Sequence, residues 1–135
     1  MNKQINIIDI SGTGFEKLVS LENTQIAVLT YLDELELNNI NYLEAHLLTD
    51  EIFILLEGRC TIISGLVEND KINDYHLINL EKDKLYVVKQ NVFHHHVLSK
   101  DAKVLVIEKK GTNYHNSKRI YFTKHNKEKL TEAFS

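Results

Sequence analysis

The apolar residues of this chain fall in short runs rich in β-branched residues, broken every ten residues or so by Asn, Asp, Gly or Lys clusters. Branched side chains pack well on a pleated surface, and short runs at regular spacing between turn signals predict a sandwich or barrel of strands. The expected strands cover residues 5–10, 25–31, 40–46, 51–56, 60–66, 75–80, 85–88, 94–98 and 103–108, with a shorter one at 119–122. Glu57-Gly58 joins two runs so closely that a hairpin is expected there, with Gly58 supplying a positive φ. Residues 68–74 are polar and read as a loop, and residues 32–37 have room for a helical turn. Residues 126–134 read as a short helix with Leu130 and Phe134 on one face. No linker, like-charge block or internal repeat divides the chain, so residues 1–135 are expected to form one domain.

Composition narrows the function classes. A chain of 135 residues, 43% hydrophobic and 26% charged, can bury a sizeable core without staples. Sixteen basic residues against nineteen acidic ones leave a net charge of −3, and only Arg59 and Arg119 carry a guanidinium. That balance argues against nucleic acid as a partner, which calls for a basic patch. Cys60 is the only cysteine, which excludes an intrachain disulfide and a cysteine-based zinc cage, and it is expected to pack as a small hydrophobe. No apolar run reaches signal-peptide or membrane-span length, so a soluble cytoplasmic protein without a membrane partner is expected.

Several ionisable residues sit inside expected strands, where a solvated charge has no need to be. Along residues 42–46, Tyr42, Glu44 and His46 share one face, because strand side chains alternate. Glu51 opens the next strand, with Phe53 and Leu55 continuing its face. In residues 94–98, alternation puts His94 and His96 on one face and His95 on the other, so His95 is expected at the surface or an interface. If these strands face into a barrel, Glu44, His46, Glu51 and His94 converge in one cavity. Two imidazoles and two carboxylates suit a divalent first-row metal such as Mn, Fe, Ni or Zn. Tyr42, Phe53 and Tyr86 are candidates for the wall of a substrate pocket. Glu51 and His96 are candidates for moving a proton. Arg59 is expected in solvent. Residues 11–14 look like a phosphate loop only superficially, lacking the Gly-Lys-Ser/Thr ending.

The same residues carry a resemblance. The first cupin motif has two histidines one residue apart, then a glutamate, then a glycine; here Glu51 and Gly58 keep the last spacing and His46 takes the second histidine position. Glu44 replaces the first histidine. The stretch from Asp83 to Leu98 resembles the second cupin motif, with His94 at its histidine, and Asp83, Lys89 and Asn91 where the family prefers Gly, Pro and Gly. The resemblance spans about residues 40–108, half the chain. It implies an all-β double-stranded β-helix, a jelly-roll barrel, here followed by the short C-terminal helix, with a metal site in the barrel mouth. It also implies pairing into homodimers through edge strands, for which residues 5–10 are the candidate here.

Three functional readings follow. One is a metal-dependent enzyme acting on a small polar metabolite such as a sugar or keto acid. Another is a non-catalytic module that binds or senses a small molecule. A third is a metal-free sugar isomerase or epimerase with a cavity histidine as base. The bland alternative is a metal-free barrel whose polar interior holds only water.

Overall fold

The structure is a computed structural model and describes residues 4–135. Ten strands follow in chain order: β1 (Phe15–Leu21), β2 (Thr24–Thr30), β3 (Tyr42–His46), β4 (Glu51–Glu57), β5 (Cys60–Glu68), β6 (Lys71–Asn79), β7 (Tyr86–Val88), β8 (His94–Leu98), β9 (Lys103–Lys109) and β10 (Ser117–Tyr121). One helix, α1 (Lys124–Phe134), closes the chain. The strands form two five-stranded antiparallel sheets, ordered β1-β2-β9-β4-β7 and β10-β3-β8-β5-β6. This is the all-β architecture with a C-terminal helix that the strand spacing predicts.

Alternation decides what each sheet buries. Ala27 and Leu29 from β2, Phe53 and Leu55 from β4, and Val104 and Val106 from β9 meet Ile62 and Leu98 from the second sheet in one apolar core. A second cluster lies on the opposite face of the second sheet, where Leu43 and Ile63 pack with Ile40, Ile72 and Leu130 of α1. Leu130 is fully buried. Thr123 caps the helix by accepting from the Asn126 N–H, while the Asn126 side chain returns the bond to the Thr123 N–H. That box sets the helix start two residues before the expected one.

Two local expectations are corrected, and a third holds. Residues 5–10 form no strand; they have no ladder partner, and the first strand is Phe15–Leu21, which reverses through Glu22 at positive φ to pair with β2. Residues 68–74 are not a loop. Asn69 and Asp70 both take positive φ, a two-residue reversal that lets polar side chains continue as solvent-facing strand on either side. Residues 32–37 hold a short 3-10 turn at Asp33–Leu35, followed by another at Leu37–Asn39. Gly58 has φ of 70° in the β4–β5 hairpin, as expected. Asp83 and Asn91 also take positive φ, so the positions where cupins prefer glycine keep the left-handed backbone through residue types that tolerate it.

Candidate metal centre

One end of the sandwich brings together the end of β3, the start of β4, the start of β8 and the end of β9. Loop bonds fix these ends against each other. The Asn91 N–H donates to the His46 carbonyl at 2.9 Å, and the Gln90 N–H donates to Asp50 Oδ1 at 2.8 Å. Along β4 the buried face runs Glu51, Phe53, Leu55, and along β9 it runs Val104, Val106, Glu108. The same alternation that fills the core with apolar side chains therefore delivers a carboxyl to its end from two paired strands, Glu51 opposite Glu108.

His46, Glu51 and His94 converge there, their potential ligand atoms all within 4.8 Å of one another. Glu51 Oε1 lies 2.9 Å from His94 Nε2 and 3.3 Å from His46 Nε2. The far side of each imidazole settles its proton. His94 Nδ1 lies 2.9 Å from the Val92 carbonyl, which only accepts, so Nδ1 carries the hydrogen. Ser117 spends its hydroxyl hydrogen on the Asn113 carbonyl at 2.7 Å and so accepts from His46 Nδ1 at 2.8 Å. With Nδ1 carrying a hydrogen, each ring turns its Nε2 to the same carboxylate oxygen. Each Nε2 is there either bridged to Glu51 by a proton or free to share a metal ion with it.

The electrostatics agree. Burial alone would raise Glu51, but hydrogen bonds with His46 and His94 hold it far below the usual carboxylate range. Burial alone would lower His46; its contact with Glu51, aided by the charges of Glu51 and Glu44, raises it overall. Metal–ligand bonds of ~2.1 Å put neighbouring ligand atoms about 3.0–3.4 Å apart for right-angled to tetrahedral arrangements. The two Glu51–imidazole pairs fall at 2.9 and 3.3 Å, and all three ligand atoms lie within 4.8 Å of one another. Nδ1 hydrogen bonds to a carbonyl and a hydroxyl are the partners that metal-binding imidazoles use to fix their tautomer. The donor set fits a divalent metal.

Other residues anticipated from sequence take varied places. Glu44 stands outside the three-residue cluster, and its Oε2 accepts from Arg119 Nε at 2.7 Å. Tyr42 lines the cavity, while Phe53 is buried in the core and Tyr86 packs against it, its hydroxyl accepting from the Glu81 N–H. His96 also lines the cavity; its Nδ1 is buried without a partner, and burial pushes its pKa well down. His95 is not at the surface. The second sheet opens between β3 and β8, which share the single pair Glu44–His94, and the His95 ring sits buried 5.0 Å from the Tyr42 ring. Burial lowers its pKa to about 4. Cys60 is buried in the core and Arg59 is exposed.

Two residues that the sequence reading passed over complete the site. Glu108 is buried, with Oε2 unpartnered, and burial beside Glu51 raises its pKa to about 9. Its place after Val104 and Val106 on one strand face was the available signal. Arg119 lies with its guanidinium carbon 4.1 Å from the Tyr42 ring centre and 4.8 Å from that of Tyr114. The cavity these groups line holds about 360 Å³, and Phe15, Leu29, Leu32 and Leu35 form its apolar wall. Among the described residues no helix is long and apolar enough to cross a membrane.

No protein-family model matches the sequence, and no curated protein matches it. Solved structures do. A cupin-2 domain protein from Shewanella frigidimarina is 21% identical, with 72% of this chain and 80% of that one covered and a TM-score of 0.50. An RmlC-like cupin of double-stranded β-helix fold from Methanocaldococcus jannaschii is 16% identical, with 80% and 93% covered and a TM-score of 0.53. Cobalt(II) HppE in complex with its substrate is 15% identical, with 79% of this chain and 59% of that one covered and a TM-score of 0.55; an iron(II) form of HppE also matches. With the two antiparallel sheets and the terminal helix, these likenesses show that the chain has the cupin double-stranded β-helix fold.

Proposed function

We propose that this protein is a metal-dependent enzyme acting on a small molecule, with His46, Glu51 and His94 holding a divalent first-row ion. The observation that carries this reading is the proton arrangement: both imidazoles are tied through Nδ1 and turn Nε2 toward one carboxylate oxygen. Two histidines and one carboxylate with room beside them favour iron(II) within that set, with Mn, Ni or Zn as the other candidates. The iron(II) and cobalt(II) forms of HppE support the choice. When bound, such an ion supplies a Lewis acid and open positions for substrate oxygens.

The remaining work belongs to the chain's own side chains. Ser117 and the Val92 carbonyl hold the two rings in their ligating tautomers. Glu108, raised by burial and by the Glu51 charge beside it, is the group we assign as the acid of the site. His96, with its pKa driven down by burial, is a weaker base, and we assign the proton-moving role to Glu108 instead. The wall of Phe15, Leu29, Leu32 and Leu35 excludes water from one side and fits an apolar portion of the substrate, while Arg119, Asn113 and Thr112 offer polar contacts on the cavity lining. Solvent exposure of 63% at Ile5 and 89% at Ile7 supports pairing of two copies through residues 5–10.

The test is a screen of sugars, hydroxy acids and keto acids against iron(II)-loaded protein under air. Turnover that disappears with chelator and returns with metal is expected. Equal turnover in metal-free protein would replace this reading with acid–base chemistry by the Glu51–Glu108 pair. Ligand binding without turnover in either state would replace it with a binding module.

A further inference from the structure

Arg119, Glu44 and His94 form one row across three neighbouring strands: Arg119 of β10 is paired in register with Glu44 of β3, and Glu44 with His94 of β8. Glu44 also shares a strand face with His46, two residues on. Its carboxylate is therefore flanked by a guanidinium on one side and two candidate ligands on the other, and it lines the same cavity. A carboxylate so placed is a ready oxygen ligand for a hard divalent ion. It is nonetheless engaged elsewhere, accepting from Arg119 Nε at 2.7 Å.

The arginine is held where it can compete. Tyr42 and Tyr114 rings lie 4.1 and 4.8 Å from the guanidinium carbon, so cation–π contact with both rings holds the head group in place. The ion pair is partly sheltered, with side-chain exposures of 27% for Arg119 and 21% for Glu44, which strengthens it over a surface pair. Removing Arg119 would leave Glu44 without its counter-ion, next to a metal that could supply one.

We infer that Arg119 is a positioning residue that withholds Glu44 from the metal, keeping the ion at three protein ligands so that positions remain for substrate. The inference rests on the metal reading above and deepens it: the aromatic clamp on Arg119 sets the coordination number.

Cobalt(II) titration of metal-free protein, followed by visible absorption, tests it without any substrate. The set is wild type, Arg119→Met, Glu44→Gln and the double variant, each checked for folding by circular dichroism. Arg119→Met should tighten cobalt binding about tenfold and change the absorption bands as a fourth ligand joins. The double variant should return to the wild-type Kd and spectrum, and Glu44→Gln alone should leave both nearly unchanged. Unchanged affinity and bands in folded Arg119→Met would overturn the inference while leaving the metal site standing. So would a tenfold or greater loss in Glu44→Gln, which would make Glu44 a ligand already. If Arg119→Met does not fold, Glu44→Gln decides by itself on the same criterion. Wild-type protein that takes up no cobalt overturns both this inference and the metal reading.

Discussion

Ser117 touches neither carboxylate nor cavity centre, yet its hydroxyl decides which nitrogen of His46 carries a proton. Ser117→Ala should weaken metal affinity about 10–100-fold with the fold intact, measured by competitive titration against a coloured chelator; an unchanged affinity would mean that His46 is oriented by something else. Glu108 makes a pH prediction. Its folded pKa of about 9 lies above the ordinary 4.5, so between those values the native state binds more protons than the unfolded chain. Metal-free protein should therefore lose stability as pH rises through that window, and Glu108→Gln should remove this loss. Glu51 acts in the opposite sense: its pKa is depressed, so its contribution is present above 4.5 and lost as pH falls below. Melting wild type and Glu108→Gln side by side checks the sign, since the gap in Tm should widen with pH. At this scale His46, Glu51 and His94 were legible because strand alternation puts them on inward faces. Arg119 was not, since its role arises from the pairing of β10 with β3, 75 residues apart in sequence. His95 escaped alternation because the sheet is open beside it.

Elements were legible where apolar alternation and turn chemistry agreed. The β4–β5 hairpin is such a case: Gly58 sits at φ of 70°, and a Cβ there would lie 2.6 Å from the Ala102 Cα. Gly58→Ala should cost at least about 1 kcal/mol, from both the backbone conformation and that clash, read as a lower urea midpoint. Of the β5–β6 hairpin the strands at 60–66 and 75–80 were legible, but the tip was not, because residues 68–74 are mostly polar and carry no periodic signal. The strand at Phe15–Leu21 was missed for a related reason; it is an edge strand with no fully buried residue. The terminal helix was visible from the spacing of Leu130 and Phe134, although its surface is needed to cover the back of the second sheet. Leu130→Ala should cost about 2–5 kcal/mol in thermal or chemical unfolding, because the side chain is fully buried in the cluster with Leu43, Ile63 and Ile72. A loss below ~1 kcal/mol would show that the helix is not docked as described.

At the scale of the molecule, a cupin sandwich closes one end of its core with ionisable side chains, and the stability of that end depends on what neutralises them. Exposed Ile5, Ile7, Ile8 and Ile10 lie outside both sheets. Light scattering is expected to give twice the chain mass, and Ile5→Asp/Ile7→Asp to give a monomer; a wild-type monomer at micromolar concentration would remove the pairing. The barrel itself was legible from the rhythm of short apolar runs, because that rhythm reflects how many residues cross a sheet before the chain must turn. What the rhythm does not carry is the meeting of distant strands at one end, where four strand ends fix the centre. The most direct test of that centre is the metal content of untagged protein purified without chelator, compared with His94→Ala. Roughly one first-row ion per wild-type chain, lost in the variant, is the predicted result. Wild-type protein that carries no such ion and takes none up on dialysis against iron(II), manganese(II), nickel(II) or zinc(II) would contradict it.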